Sequence, residues 1–142
     1  MKTYSQDKPE KKFHIENVEN GKCTILFFDN IKSEQDEDGN IIYNYDLYTL
    51  KLISRANLEQ QIKDNYSKWL NLAKETEYNK LAEEVRAKRD KLLADTDWTQ
   101  VTDSALTKEK QEKYKEYRQK LRDITKQEKF PYNIDFPSIP NE

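Results

Sequence analysis

Two apolar runs, Phe13–Val18 and Lys22–Phe28, flank the dipeptide Asn20-Gly21 within "ENGK", residues 19–22. Asn-Gly readily takes the positive φ angles of a two-residue type I′ turn, so the pattern predicts a β-hairpin. Asp38-Gly39 ahead of Ile41 signals a second hairpin, with the acidic stretch Ser33–Asp38 as its solvated loop. The third run, "IIYNYDLYTLKLI", alternates from Tyr43 through Tyr45 to Leu47, then changes phase at Tyr48, Leu50 and Leu52. A bulge accounts for that change. An early helix start is the alternative, because Leu47, Leu50, Ser54 and Leu58 also fit a helical stripe; the strand reading is preferred. Residues 12–53 thus read as a small antiparallel meander, and residues 1–11 as a loose polar start.

From Ser54, a plausible N-cap, the period becomes helical: Leu58, Ile62, Tyr66, Trp69, Leu70 and Ala73. The pattern resumes at Leu81, Val85 and Leu92 and reaches Ala94 without glycine or proline, with a bend expected near Thr76 where the stripe drifts. Asp95, Thr96 and Asp97 compete for backbone hydrogen bonds and so end this helix. Thr107 caps a second helix with Glu109 in its first turn, and Tyr114, Tyr117, Leu121 and Ile124 give it the seam of a packed pair. Residues 95–106 connect the two, which predicts an antiparallel helical hairpin whose seam joins Tyr117, Leu121 and Ile124 to Leu81, Val85 and Leu92. Trp98 either covers the open end of that seam or stands out as a docking residue. The tail "FPYNIDFPSIP" carries three prolines, which favour extended or polyproline-II backbone. Its apolar residues dock either on the chain's own helices or in a groove on a partner.

The fold class that results is α+β. An N-terminal β meander (residues 1–54) precedes a long helix and helical hairpin (55–129) and a proline-rich extended tail (130–142). Composition sharpens this picture: 35% of residues are hydrophobic and 37% charged, so the core is thin or strung along a long element. The net charge is only -2, against a protein that coats DNA. Residues 107–129 nevertheless hold nine Lys/Arg and five Asp/Glu, and residues 33–46 hold five acids and no base. Lys113, Lys115, Arg118, Lys120 and Arg122 interleave with Tyr114 and Tyr117, but the tyrosines sit at seam spacing and not where they would stack on bases. No run is long and apolar enough to span a membrane. Cys23 is the sole cysteine and His14 the sole histidine, so neither a disulfide nor a cysteine or histidine metal cluster is expected. The pattern supplies no glycine-rich phosphate loop and no nucleophile–base pair, which argues for a non-enzyme without cofactor. Arg89 and Asp90 on one helix face Arg122 and Asp123 on the other as candidate cross-helix ion pairs.

Three blocks, "RAKRDKLLADTDWTQ", "YKEYRQKLRDI" and "KFPYNIDFPSIP", resemble the phage tail assembly chaperone proteins of tailed bacteriophages over about residues 86–140. The resemblance rests on Arg86, Arg89, Asp90, Leu92, Leu93, Thr96, Asp97, Trp98 and Asp103. It continues through Tyr117, Arg118, Gln119, Leu121, Arg122, Asp123 and Ile124 to Phe130, Pro131, Pro137 and Pro140. The chain departs from the family pattern at Thr125, where proline is usual, and at Tyr114 and Phe136, where tryptophan is. The resemblance implies a protein that helps tail or tail-fibre proteins assemble in the host cytoplasm, with a structural virion component as the alternative. Self-association stays open. Trp98, Arg118, Arg122, Phe130, Tyr132 and Phe136 are the candidate partner contacts. Arg89, Asp90, Asp97, Tyr117, Leu121 and Asp123 are the candidate structural motif.

Overall fold

The computed structural model describes residues 1–18 and 20–140. Glu19 of the expected first turn and Asn141 and Glu142 of the tail lie outside them. The protein is α+β: four antiparallel strands, then helices. It divides into two compact units, Met1–Glu77 and Tyr78–Glu142.

In the first unit, strands β1 (Lys2–Ser5), β2 (Phe13–Val18), β3 (Lys22–Gln35) and β4 (Ile41–Ile53) form one sheet in the order β1-β4-β3-β2. The polar start expected to be loose is partly a strand, because Lys2–Ser5 pairs with Tyr43–Asp46 of β4. Asn20 and Gly21 both take positive φ (67° and 70°), the conformation that a tight turn between β2 and β3 demands. The second loop is shorter than expected. Ser33, Glu34 and Gln35 extend β3, and the loop is Asp36–Asn40, where the Asp36 carboxylate accepts from the amides of Asp38 and Asn40. The Asn40 side-chain amide donates to it as well, at 3.2 Å, and that bond first, with the Asn40 backbone bond after it, holds the Asp36 carboxyl below its ordinary value.

No bulge interrupts β4 at Tyr48. The register shift lies on β3 between Asp29 and Lys32, where Asn30 is left-handed (φ 51°) and donates to Asp46. The apparent change of phase has another cause. Tyr48, Leu50 and Leu52 lie on one face of the sheet, paired with Phe27, Ile25 and Cys23, while Tyr43, Tyr45 and Leu47 lie on the other. A strand with apolar residues on both faces looks like a slipped alternation.

The first face is the core. Cys23, Ile25, Phe27 and Leu50 are buried against Leu58 and Ile62 of helix α1 (Leu58–Asp64) and Leu70 and Ala73 of helix α2 (Tyr66–Asp95). Phe13, Phe27 and Tyr66 form a ring cluster with centroids 6.0–6.4 Å apart. Lys74 closes the edge of this core, 2.6 Å from Asp29 and above the Tyr48 ring. The stripe from Leu58 to Ala73 thus packs as one surface, yet it is two helices. Ser54 does not cap them, since its amide donates to the Gly21 carbonyl; α1 starts after left-handed Asn57. Asn65 then leaves helical backbone, so its amide closes α1 while its carbonyl accepts from Lys68 and Trp69 of α2. Helix α2 continues through Thr76, whose hydroxyl donates to the Leu72 carbonyl, so the break falls at Asn65.

In the second unit, α2 ends at Asp95, a 3₁₀ turn covers Asp97–Gln100, and helix α3 spans Lys108–Arg122. Thr107 caps α3 as its sequence position predicts, its hydroxyl accepting from the Lys110 amide at 3.3 Å. A further 3₁₀ turn covers Asp123–Lys126, and residues 134–140 have no regular secondary structure.

Candidate functional site

The end of α2 is built around one buried arginine. A helix leaves its last carbonyls without partners, and a buried end needs donors from elsewhere. The Thr96 hydroxyl donates to the carbonyls of Leu92 (2.8 Å) and Leu93 (3.1 Å). Arg118 reaches across from α3. Its Nη1 donates to the Leu93 carbonyl and to Thr96 Oγ1, and its Nη2 lies 2.6 Å from Asp97 Oδ1. The guanidinium is therefore a helix cap supplied from a distance. At 7% exposure, Arg118, expected among the partner contacts, is turned inward. Its Nε is buried with no hydrogen-bond partner among the described residues, while both terminal nitrogens of the fork are engaged.

The 3₁₀ turn that follows has a period of three residues, which sets its faces. Thr96 and Thr99 point inward and are buried, with the Thr99 hydroxyl donating to the Thr96 carbonyl at 2.7 Å. Trp98 is consequently turned out. It is 53% exposed, touching Tyr114 with ring centroids 6.1 Å apart. The indole leans on the apolar cluster without closing it.

That cluster comprises Tyr114, Tyr117 and Leu121 of α3, packed with Leu92, Leu93, Leu106 and Phe136. Leu92 is where the seam was expected, but Leu81 and Val85 are not in this cluster; Leu93, Leu106 and Phe136 take their place. Burial raises the Tyr117 phenol above its ordinary value, with Tyr114 and Asp95 adding to the shift. Among the motif charges, Arg89 pairs with its neighbour Asp90 at 2.7 Å. Asp123 is held by Lys126 (2.6 Å) and Gln119 (2.9 Å), contacts that lower its carboxyl. Asp90 is therefore engaged by its own neighbour, and no ion pair joins it to Arg122 among the described residues. Local partners hold these charges at less entropic cost than distant ones would, and the ion pair that does reach across from α3 is Arg118–Asp97.

The tail is tied to the unit's own helices. The Gln127 side chain grips the backbone of Asp135 from both sides, donating to its carbonyl (2.8 Å) and accepting from its amide (3.0 Å). Phe136 lies under the Lys88 ammonium, 4.1 Å from the ring centre, and joins the cluster. Phe130 sits beneath the Arg86 guanidinium and meets the edge of Tyr78. Tyr132 also meets Tyr78 and remains 58% exposed. The candidate contacts thus divide: Trp98, Arg122 and Tyr132 face outward, while Phe130 and Phe136 are half-buried and Arg118 is internal. Sequence spacing missed Thr99, Gln127, Lys88 and Tyr78, since none of them carries a signal until the chain is folded.

Most of this unit, with its arginine-capped helix end and tethered tail, matches one family model. Residues 82–141 match the phage tail assembly chaperone protein family. The match extends four residues upstream of the resemblance read from the three sequence blocks, to Ala82, which is fully buried on α2. It includes the whole α2 end, the 3₁₀ turn, α3 and the tail through its described residues. No curated protein and no solved structure matches the chain. Among the described residues, no helix is long and apolar enough to cross a membrane.

Proposed function

We propose that the protein is a non-catalytic assembly factor that binds a phage tail or tail-fibre protein in the host cytoplasm while tails are built. The observation that carries this reading is a coincidence of boundaries. The family match, residues 82–141, falls inside the compact unit Tyr78–Glu142, so the segment shared with tail assembly chaperones lies within one unit of the structure. Such a role calls on binding free energy and not bond chemistry, and aromatic anchors on a rigid support are its usual source. In this reading Trp98 and Tyr132 are the anchors, with Arg122 beside them. Phe130 and Phe136 shape the surface from beneath, and Arg118 holds the helix end.

The test is to mix the purified protein with each tail structural protein of its phage, one at a time, and to measure binding by calorimetry. Saturable one-to-one binding to a tail or fibre protein is the expected result; no heat with any of them would sink the proposal.

A second reading, a structural subunit of the virion, draws on the sheet's second apolar stripe, where Phe28 and Tyr45 meet edge to face at 5.4 Å. A neighbour in the particle would cover such a stripe. Stoichiometric amounts of the protein in purified mature particles would favour this reading over a factor that departs.

A further inference from the structure

Strand β2 is an open edge of the sheet, and its backbone decides what it can pair with. In an antiparallel ladder alternate residues turn both backbone groups toward one neighbour, and the residues between them turn theirs away. The Phe28 amide donates to the Lys12 carbonyl at 2.9 Å, and the pairs Phe13–Phe27, His14–Leu26 and Ile15–Ile25 continue that register. His14 and Glu16 therefore bond to β3, while Phe13, Ile15 and Asn17 turn their amides and carbonyls outward. Among the described residues, no backbone group bonds to the outward groups of Phe13 or Ile15. Sheet edges are usually blunted by brevity, proline, a bulge or lysine. The other edge, β1, is only four residues long. β2 has six, with no proline or lysine, and the sheet's register shift lies beyond it, between Asp29 and Lys32. An open hollow of about 550 Å³ lined by Ile15, Leu58 and Glu59 lies beside it, so α1 leaves room there for a further strand.

We propose that β2 pairs antiparallel with β2 of a second copy of this chain, about a two-fold axis at Ile15, joining the two sheets. Outward residues bond only to outward residues, which leaves Ile15 opposite Ile15, Phe13 or Asn17 of the other copy. Opposite Phe13, the two His14 residues meet and Asn17 falls against Lys11, outside the strand. Opposite Asn17, the two Glu16 carboxylates face each other, and like charges directly opposite destabilise a strand pair. Opposite itself, Ile15 brings all the outward residues of β2 into the ladder and sets His14 across from Glu16, twice by symmetry. Both of those side chains are exposed and turned away from the core, while Ile15 of the other copy enters the hollow beside its counterpart. The occupant follows from this register. Because the strand reads His-Ile-Glu, a second copy places a carboxylate opposite each imidazole, which can donate to it. One such pairing also closes both open edges, whereas a strand of another protein closes only one.

The experiment measures the mass of the full-length chain by sedimentation across micromolar to millimolar concentrations, with far-ultraviolet circular dichroism checking the fold. The unaltered chain should pass from monomer to dimer, and the Ile15 amide should exchange its hydrogen more slowly as the dimer fills. His14→Glu should weaken the dimer about tenfold or more at low salt, because symmetry opposes two pairs of acids. His14→Lys should dimerise at least as tightly as the unaltered chain. Adding Glu16→Lys to His14→Glu restores opposite charges in this register and in neither of the others, so the double variant should regain the dimer. These substitutions lie at exposed positions turned away from the core, so the fold survives to report on the contact. A chain that stays monomeric throughout overturns the proposal, as does a dimer indifferent to His14→Glu or not restored by the double variant. If β2 serves a strand of another protein instead, the chain alone stays monomeric, which is the same refutation. None of these measurements involves a tail protein, so the assembly-factor reading stands or falls separately.

Discussion

Replacing Arg118 with methionine tests whether a long-range cap, and not an ion pair, holds α2 to α3. Two contributions are separable in the structure. The first is the pair with Asp97, whose side chain is 68% exposed. Solvent screens that half of the interaction, so its share is about 0–1 kcal/mol. The second is donation to the Leu93 carbonyl and Thr96 hydroxyl, in surroundings where a polar group left without a partner costs about 1–3 kcal/mol. Thr96 still donates to Leu93 after the change, and methionine relieves the desolvated charge and the unpartnered Nε, so the cost is not doubled. A net loss of about 2–3 kcal/mol follows. For a unit of this size, that lowers its melting midpoint by roughly 8–24 °C. Asp97→Asn removes only the screened part and should cost under about 1 kcal/mol. Urea unfolding followed by far-ultraviolet circular dichroism measures both variants, with Trp98 emission, read in a Trp69→Phe background, reporting the turn. Equal losses for the two variants, or an unaltered midpoint for Arg118→Met, would refute the cap.

Leu121 is fully buried in the α3 cluster, so Leu121→Ala should destabilise the second unit by about 2–5 kcal/mol, read from its denaturation midpoint. Gln127→Ala removes both bonds to the Asp135 backbone at an exposed site. It should cost about 1 kcal/mol and speed hydrogen exchange at the Asp135 amide; unaltered exchange there would mean the tail is held by Phe136 alone. Tyr66 has its phenol raised above the ordinary 10.0, first by burial and then by Asp29, with Lys74 opposing. The folded state therefore holds the proton more tightly than the unfolded state. The stability this contributes is complete below pH 10.0 and is lost as pH rises through the folded value. Tyr66→Phe should flatten the alkaline fall in stability of the first unit, and an unchanged pH profile would count against it.

Local rules made much of the chain legible. Asn20-Gly21 and Asp38-Gly39 mark turns because few other residues accept their backbone angles, and Thr107 marks a helix start because its hydroxyl serves an orphan amide. The stripe from Leu58 to Ala73 named the face that the sheet covers. It did not reveal the break at Asn65, since a residue that ends one helix and begins the next leaves the apolar spacing almost undisturbed. Strand β1 was illegible for a related reason. Four mixed residues have no periodicity to read, and they become a strand only because β4 offers an unpaired edge.

The candidate surface divides along the same line. Its residue types were visible in three sequence blocks, because the resemblance attaches to identities in order, and Trp98, Arg118 and Phe136 stand among them. Their roles were not. Whether Arg118 faces a partner or a helix end depends on where α3 brings it, twenty-five residues along the chain from the carbonyl it caps. Whether Trp98 plugs or protrudes depends on which side of a 3₁₀ turn Thr96 and Thr99 occupy. A sequence by itself determines periodic and local features, since the forces that set them act within a turn or a strand pair. Capping across elements, the choice of ion-pair partner and the exposure of a single indole are decided only in the tertiary structure, where distant groups compete for the same space and the same hydrogen bonds.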